Sequence, residues 1–79
     1  MTSNGVLNIE FSILKKQKLT AEMTDEQGRI VRSLFQNREM PVGVFQQKFE
    51  LKNLPQGVFF LEIKNEKGEG RVIKVIRGH

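Results

Sequence analysis

The sequence has no cysteine, no tryptophan and no tyrosine, and it has one histidine among 79 residues. Without cysteine, neither a disulfide framework nor a thiolate metal site can form. The histidine, His79, is the last residue, where a side chain is rarely held rigidly enough for acid–base catalysis. We expect His79 to belong to a disordered end or to an expression tag.

Long hydrophobic runs and clustered charge are also missing. No apolar run approaches the roughly 20 residues that a membrane helix needs, and the start, MTSNGVLNIE, lacks the segments of a signal peptide. The net charge is +4, but the basic residues are spread along the chain and interleave with acids from Glu22 onward. Nucleic-acid binding needs cations clustered on one face, usually with stacking aromatics. We therefore expect no membrane insertion and no nucleic-acid partner.

Helical periodicity is nearly absent, and the apolar residues mostly alternate with polar ones, as in half-buried strands. The predicted strands cover residues 6–14, 19–24, 29–35, 44–51, 58–65 and 71–76. A chain of 79 residues has room for one core and one domain. Strands at this spacing predict an all-β fold over residues 1–79, an immunoglobulin-like antiparallel β-sandwich of six to seven strands.

The segment DEQGRIV, residues 25–31, predicts a β-turn. Asp25 can accept backbone hydrogen bonds, Gly28 can supply a left-handed φ, and Val31 is expected to return to the core. The apolar residues of the strand that follows do not alternate cleanly, so we expect either a bulge there or a strand that switches between sheets. Residues 36–43, QNREMPVG, predict a loop that ends at Gly43. Residues 52–57, KNLPQG, predict a tight corner that contains Pro55 and Gly57.

Catalytic groups are not arranged for chemistry. The nine acids form no paired, apolar-pocketed arrangement, and a calcium site at Asp25 and Glu26 would need six to eight oxygen ligands. The three serines lie outside any nucleophile elbow, and the glycines of EKGEG precede no helix that could bind a phosphate. We expect no catalytic, cofactor or metal site, no small-molecule substrate and no enzyme activity.

The order of the motifs is more informative than any one of them. Along the chain, the series is LTAEMTDEQGRIV, then LF, then PVGVFQQKFEL, then NLPQGVFFLEI and finally GRVIKVI. The series resembles the C-terminal sorting domain of proteins exported by the type IX secretion system of Bacteroidetes, and it is similar to the immunoglobulin-like domain of flagellar hook-capping proteins. Three features depart from the family pattern: TSNGVL in place of a PNP segment, Thr24 in place of an aromatic residue, and Phe59 in place of tyrosine. The matching residues are Asp25, Gly28, Arg29, Val31 and Leu34, then Gly43 and Phe49, then Asn53, Leu54, Pro55, Gly57, Val58 and Phe59, and finally Lys74, Val75 and Ile76.

The resemblance implies a non-catalytic domain at the C-terminus of a larger precursor, which is recognised by the secretion machinery and leads to secretion or cell-surface display. The candidate recognition residues are Lys74, Val75, Ile76 and Arg77 in the last predicted strand, which a partner could pair if it is an edge strand. The alternative for this strand is that the sandwich covers both of its faces. The alternative function is a structural or adhesive immunoglobulin-like module without a sorting role.

Overall fold

The computed structural model describes residues 2–3 and 5–78, so the expectation for His79 lies outside the described residues. Seven strands and no helix occur in this part of the chain, which confirms the all-β prediction. The strands are β1 (Thr2–Ser3), β2 (Val6–Ile13), β3 (Gln17–Thr24), β4 (Ile30–Met40), β5 (Gly43–Glu50), β6 (Gly57–Asn65) and β7 (Gly70–Arg77).

The strands form two sheets, consistent with an immunoglobulin-like sandwich. One sheet has the order β1-β7-β6-β3-β4, and the other consists of β2 and β5. The six longer strands pair antiparallel, whereas the short β1 runs parallel to the end of β7, with Thr2 opposite Ile76 and Ser3 opposite Arg77.

The core lies between the sheets and follows from period-2 alternation, which turns every second side chain of a strand inward. Burying a leucine or phenylalanine side chain stabilises the fold by about 1.5–3 kcal/mol. The main cluster comprises Leu7, Ile9, Met23, Phe49, Leu51, Leu54, Phe59, Leu61 and Val75. A smaller cluster at one end of the sandwich comprises Ile13, Leu19 and Met40.

Strand β4 shows where the prediction from the sequence was wrong. Residues 36–40, which we expected in a loop, continue the strand to Met40, because Met40 pairs with Gln17 and packs against the smaller cluster. The expected bulge is present as register shifts between β3 and β4. Within this irregular stretch Asn37 has a φ of 48°, and its backbone N–H donates to Thr20 Oγ1 over 3.1 Å.

Val31 does not return to the core. Its side chain is 36% exposed, and that of its neighbour Ile30 is 58% exposed. Thr24 pairs with Ile30 and Met23 pairs with Arg32, so Val31 is the extra residue of a bulge. Because a bulge breaks the alternation of side chains, the position of Val31 after the turn does not fix which face it occupies.

Candidate functional site

The last strand, β7, lies near one edge of the five-stranded sheet. It pairs along its length with β6, from Gly57 opposite Arg77 to Lys64 opposite Gly70. On its other side, β1 covers only Ile76 and Arg77. The side chains of β7 therefore point alternately toward the core and toward solvent. Within the described residues, part of the backbone edge of β7 has no neighbouring strand.

The four candidate recognition residues of β7 divide between these two faces. Lys74 is exposed and Ile76 is 39% exposed, so both are accessible to a partner. Val75 is completely buried in the main core cluster. Arg77 is half-buried, and its guanidinium donates to the backbone carbonyls of Leu51 over 3.2 Å and of Gly78 over 2.8 Å.

Apolar side chains accompany Lys74 on the solvent face of the sheet. Ile76 lies opposite Val58, and Lys74 lies opposite Phe60, which has Thr24 on its other side. Val72 is 61% exposed and lies opposite Glu62. We call this surface the outer patch, and define it by Val58, Phe60, Val72, Lys74 and Ile76.

The turn between β3 and β4 is organised by Asp25. Its Oδ1 accepts hydrogen bonds from the backbone N–H groups of Gln27, over 2.9 Å, and Arg29, over 3.0 Å. Its Oδ2 accepts a 2.8 Å bond from Arg29 Nε, and its carbonyl accepts one from Gly28 N–H over 3.0 Å. Gly28 has a φ of 83°, in the left-handed region that only glycine adopts readily.

These bonds also set the protonation of Asp25. Desolvation raises the pKa of its carboxyl, but the hydrogen bonds from Arg29 and Gln27, together with the charge of Arg29, outweigh it. The pKa of Asp25 therefore lies below its ordinary value of 3.8. The ionised carboxylate accepts hydrogen bonds from three donors of its own turn, two of them backbone N–H groups, and these bonds hold the backbone of the turn.

The turn between β6 and β7 repeats this geometry, with Asn65 in the place of Asp25. Asn65 Oδ1 accepts from the backbone N–H groups of Lys67, over 2.9 Å, and Glu69, over 3.0 Å. The Gly68 N–H donates to the Asn65 carbonyl over 3.0 Å, and Gly68 has a φ of 81°. Sequence reasoning missed Asn65, although the shared spacing of an Asp or Asn three residues before a glycine was a usable signal.

The other turn residues begin strands or shape corners. Gly43 and Gly57 are the first residues of β5 and β6, with φ angles of 154° and 150°. Pro55 is exposed and follows Leu54, which is buried and donates its N–H to the Leu51 carbonyl over 2.9 Å. Gly43 and Gly57 thus mark where β5 and β6 start, and Pro55 lies in the corner ahead of β6.

Within the described residues, no group of three or more His, Cys, Asp or Glu side chains could hold a metal ion. The same part of the chain contains no helix that is long and apolar enough to cross a membrane. Lys16 and Glu39 form an exposed ion pair, with 2.8 Å between Nζ and Oε1. The hydrogen bond between them raises the pKa of Lys16 and lowers the pKa of Glu39.

Comparison with known proteins identifies the family. The family described as "Secretion system C-terminal sorting domain" matches residues 3–77, nearly the whole chain. A search of the curated proteins found no match. Domains of this family are sorting signals of the type IX secretion system of Bacteroidetes and are recognised by the secretion machinery. They are in general non-catalytic, and they belong to secreted or cell-surface proteins. The chain belongs to the family of type IX secretion system C-terminal sorting domains.

Proposed function

We propose that this chain is the C-terminal domain of a larger exported precursor, and that the secretion machinery recognises it through the outer patch. Family membership supports the sorting role. The observation that carries the choice of surface is the solvent face of β7, where Val72, Lys74 and Ile76 stand side by side on one strand near the edge of the sheet.

The composition of the outer patch fits a protein partner. Valine, isoleucine and phenylalanine side chains supply apolar contact area, and Lys74 adds one positive charge among them. Contiguous exposed apolar groups rimmed by polar residues are typical of protein–protein interaction sites. Glu62, opposite Val72, supplies a polar group at the margin of the patch.

The two remaining candidates of β7 have a different role. Val75 is completely buried and cannot contact a partner while the domain is folded. Arg77 binds the carbonyl of Leu51, next to the end of β5, and so connects the end of β7 to the second sheet. We assign recognition to Lys74 and Ile76, together with Val72, and assign support of the strand to Val75 and Arg77.

The other partner classes are not part of this proposal. The cations are dispersed, and several are already engaged: Arg29 with Asp25, Lys16 with Glu39, and Arg77 with backbone carbonyls. Asp25, the acid most suggestive of chemistry in the sequence, is occupied by its own turn. We propose a domain that catalyses no reaction and binds no nucleic acid, membrane interior or small-molecule substrate.

The test is export of a reporter that carries a signal peptide at its start and this domain at its end, in a host with the type IX machinery. We expect Lys74→Glu and Ile76→Asp each to reduce reporter in the medium by about tenfold, with accumulation in the periplasm, because charge reversal or a buried carboxylate costs several kcal/mol at an interface. Lys18→Glu and Val44→Asp are matched controls, since both residues are exposed and lie outside the outer patch.

The outcomes separate the two parts of the proposal. If the unchanged domain exports nothing, the sorting role is wrong. If the unchanged domain exports the reporter and both β7 variants do so equally well, the recognition surface is wrong. Deleting residues 74–79 is the weaker experiment, because it also removes Val75 from the core and would unfold the domain.

A further inference from the structure

An open cleft separates the edge of β2 from the edge of β7. Its volume is about 750 Å³, and its apolar lining comes from both sheets. Ile9, Phe11 and Ile13 of β2 lie on one side, Ile73 of β7 on the other, and Ile63 of β6 between them. The cleft is thus a place where the two layers of the sandwich do not close over the core.

Along the cleft, residues 9–13 of β2 and residues 70–73 of β7 each have one backbone edge beside which no described strand lies. β2 pairs only with β5, and the part of β7 from residue 70 to 73 pairs only with β6, as far as the described residues extend. Such an edge presents N–H and C=O groups that template the addition of a further strand. An extended polypeptide would satisfy these groups and also place every second side chain over the apolar lining.

The direction of β1 indicates which polypeptide this is. β1 pairs parallel with the end of β7, with Thr2 opposite Ile76. Because Thr2 and Ser3 run in the same direction as β7, a segment that continued this pairing ahead of Thr2 would run along β7 toward Gly70. In the same register, a residue four positions ahead of Thr2 would lie opposite Val72. A segment tethered at this point has a high effective concentration at the edge.

We propose that the precursor segment immediately ahead of Thr2 docks as a strand along residues 70–73 of β7 and lies over the cleft. This inference rests on the proposed function, in which cargo precedes the domain. The docked segment extends β1, covers Ile73 and Ile63, and holds the junction with the cargo in an extended conformation. The binding surface is distinct from the outer patch, since it uses the backbone edge of β7 and the space between the sheets.

Disulfide trapping tests the proposal cleanly, because the chain has no cysteine. A leader of about eight residues, alternating threonine and valine, is added ahead of Met1, and Val72→Cys is combined with one leader cysteine. Val72 is 61% exposed, so its replacement leaves the core intact. Neighbouring strands lie about 4.8 Å apart, within the Cα separation of disulfides.

We expect the cysteine four positions ahead of Thr2 to form the intramolecular disulfide at least about tenfold faster than cysteines three or five positions ahead, because adjacent strand residues point to opposite faces. Thermal melts of each variant verify that the domain is folded. The experiment is independent of export, so it can fail while the sorting proposal stands.

Several outcomes would overturn the docking of the precursor segment. Equal rates at the three leader positions, or no intramolecular disulfide in a folded domain, would show that the leader does not add to β7. A disulfide between two chains would assign the edge to a second copy. If a free peptide with the leader sequence reacts at equimolar concentration as fast as the tethered leader, the edge is a site for a partner's strand.

Discussion

Phe59→Ala is the substitution that tests the fold most directly. Phe59 lies on β6, is 4% exposed and belongs to the main core cluster. Truncating a buried phenylalanine to alanine costs about 3–5 kcal/mol, from lost burial and from the cavity left behind. A domain of 79 residues has a total stability of about 4–12 kcal/mol, so this single change removes much of it.

The neighbouring residue provides a matched control. Phe60 has the same side chain on the same strand, but it lies in the outer patch and is half-exposed, so Phe60→Ala is expected to cost about 1 kcal/mol. Urea unfolding followed by far-UV circular dichroism suits a chain without tryptophan or tyrosine. With a slope of about 1 kcal/mol per molar urea, a loss of about 3–5 kcal/mol lowers the urea midpoint of Phe59→Ala by about 3–5 M.

The comparison can refute the assignment of faces. A shift of one residue in the register of β6 would exchange the environments of Phe59 and Phe60. Equal costs for the two alanine variants, or a larger cost for Phe60→Ala, would contradict the structure. If Phe59→Ala does not fold at all, Phe59→Leu keeps most of the volume and is expected to stay folded with a smaller, measurable loss.

Three further predictions concern the turns. Gly28→Val should lower the free energy of unfolding by about 1 kcal/mol or more, because its φ of 83° is strained for valine. A Cβ at this position meets no atom within 4 Å, so the loss comes from backbone strain alone. An unchanged melting temperature would contradict the turn. Gly70→Ala should lower the free energy of unfolding by about 1–3 kcal/mol, because its Cβ would overlap the Ile63 carbonyl oxygen of β6. Gly78→Ala is the control: a Cβ there lies in open space, so this variant should melt at the temperature of the wild type. The lowered pKa of Asp25 means that its stabilisation is fully present above pH 3.8 and is lost as the pH falls through the lower native pKa. The urea midpoints of the wild type and Asp25→Asn should therefore converge below pH 3.8, and a constant difference would contradict this role.

Much of the fold could be predicted from local sequence patterns. In β2 the alternation predicts one inward face made of Leu7, Ile9, Phe11 and Ile13, and all four are buried except Phe11, which is half-buried against the core. In β3 the alternation predicts the inward face correctly for Leu19, Ala21 and Met23. Alternation succeeds in these strands because each has one face on the core and pairs without a register shift with one neighbour, β2 with β5 and β3 with β6.

Strand β4 shows why other features could not be predicted. Residues 36–40 carry a polar composition typical of a loop, yet they pair with β3 because Met40 reaches the smaller core cluster. Val31 follows the turn at a position where we expected a core residue, but it occupies a bulge. In both cases the outcome depends on the neighbouring strand, whose position the local sequence does not contain.

The candidate recognition residues could likewise be predicted only in part from the sequence. The resemblance of the sequence to the family made β7 a candidate recognition strand, with Lys74, Val75, Ile76 and Arg77 as candidates of equal standing. Only the tertiary structure separates the exposed Lys74 and Ile76 from the buried Val75 and from Arg77, which binds backbone carbonyls. The signal for the Asn65 turn was present in the sequence, because Asn65 and Gly68 have the spacing of Asp25 and Gly28.

The sequence by itself determined that this protein is a small all-β domain, that its turns form at particular acids, amides and glycines, and that its motifs follow the order of a sorting domain. These properties depend on side-chain periodicity and backbone preference, which act over a few residues. The tertiary structure decided which strands meet, which face of β7 is accessible, and where the two sheets leave a cleft. Those properties depend on pairing between distant segments, and one strand's exposure is fixed only when its neighbours are in place.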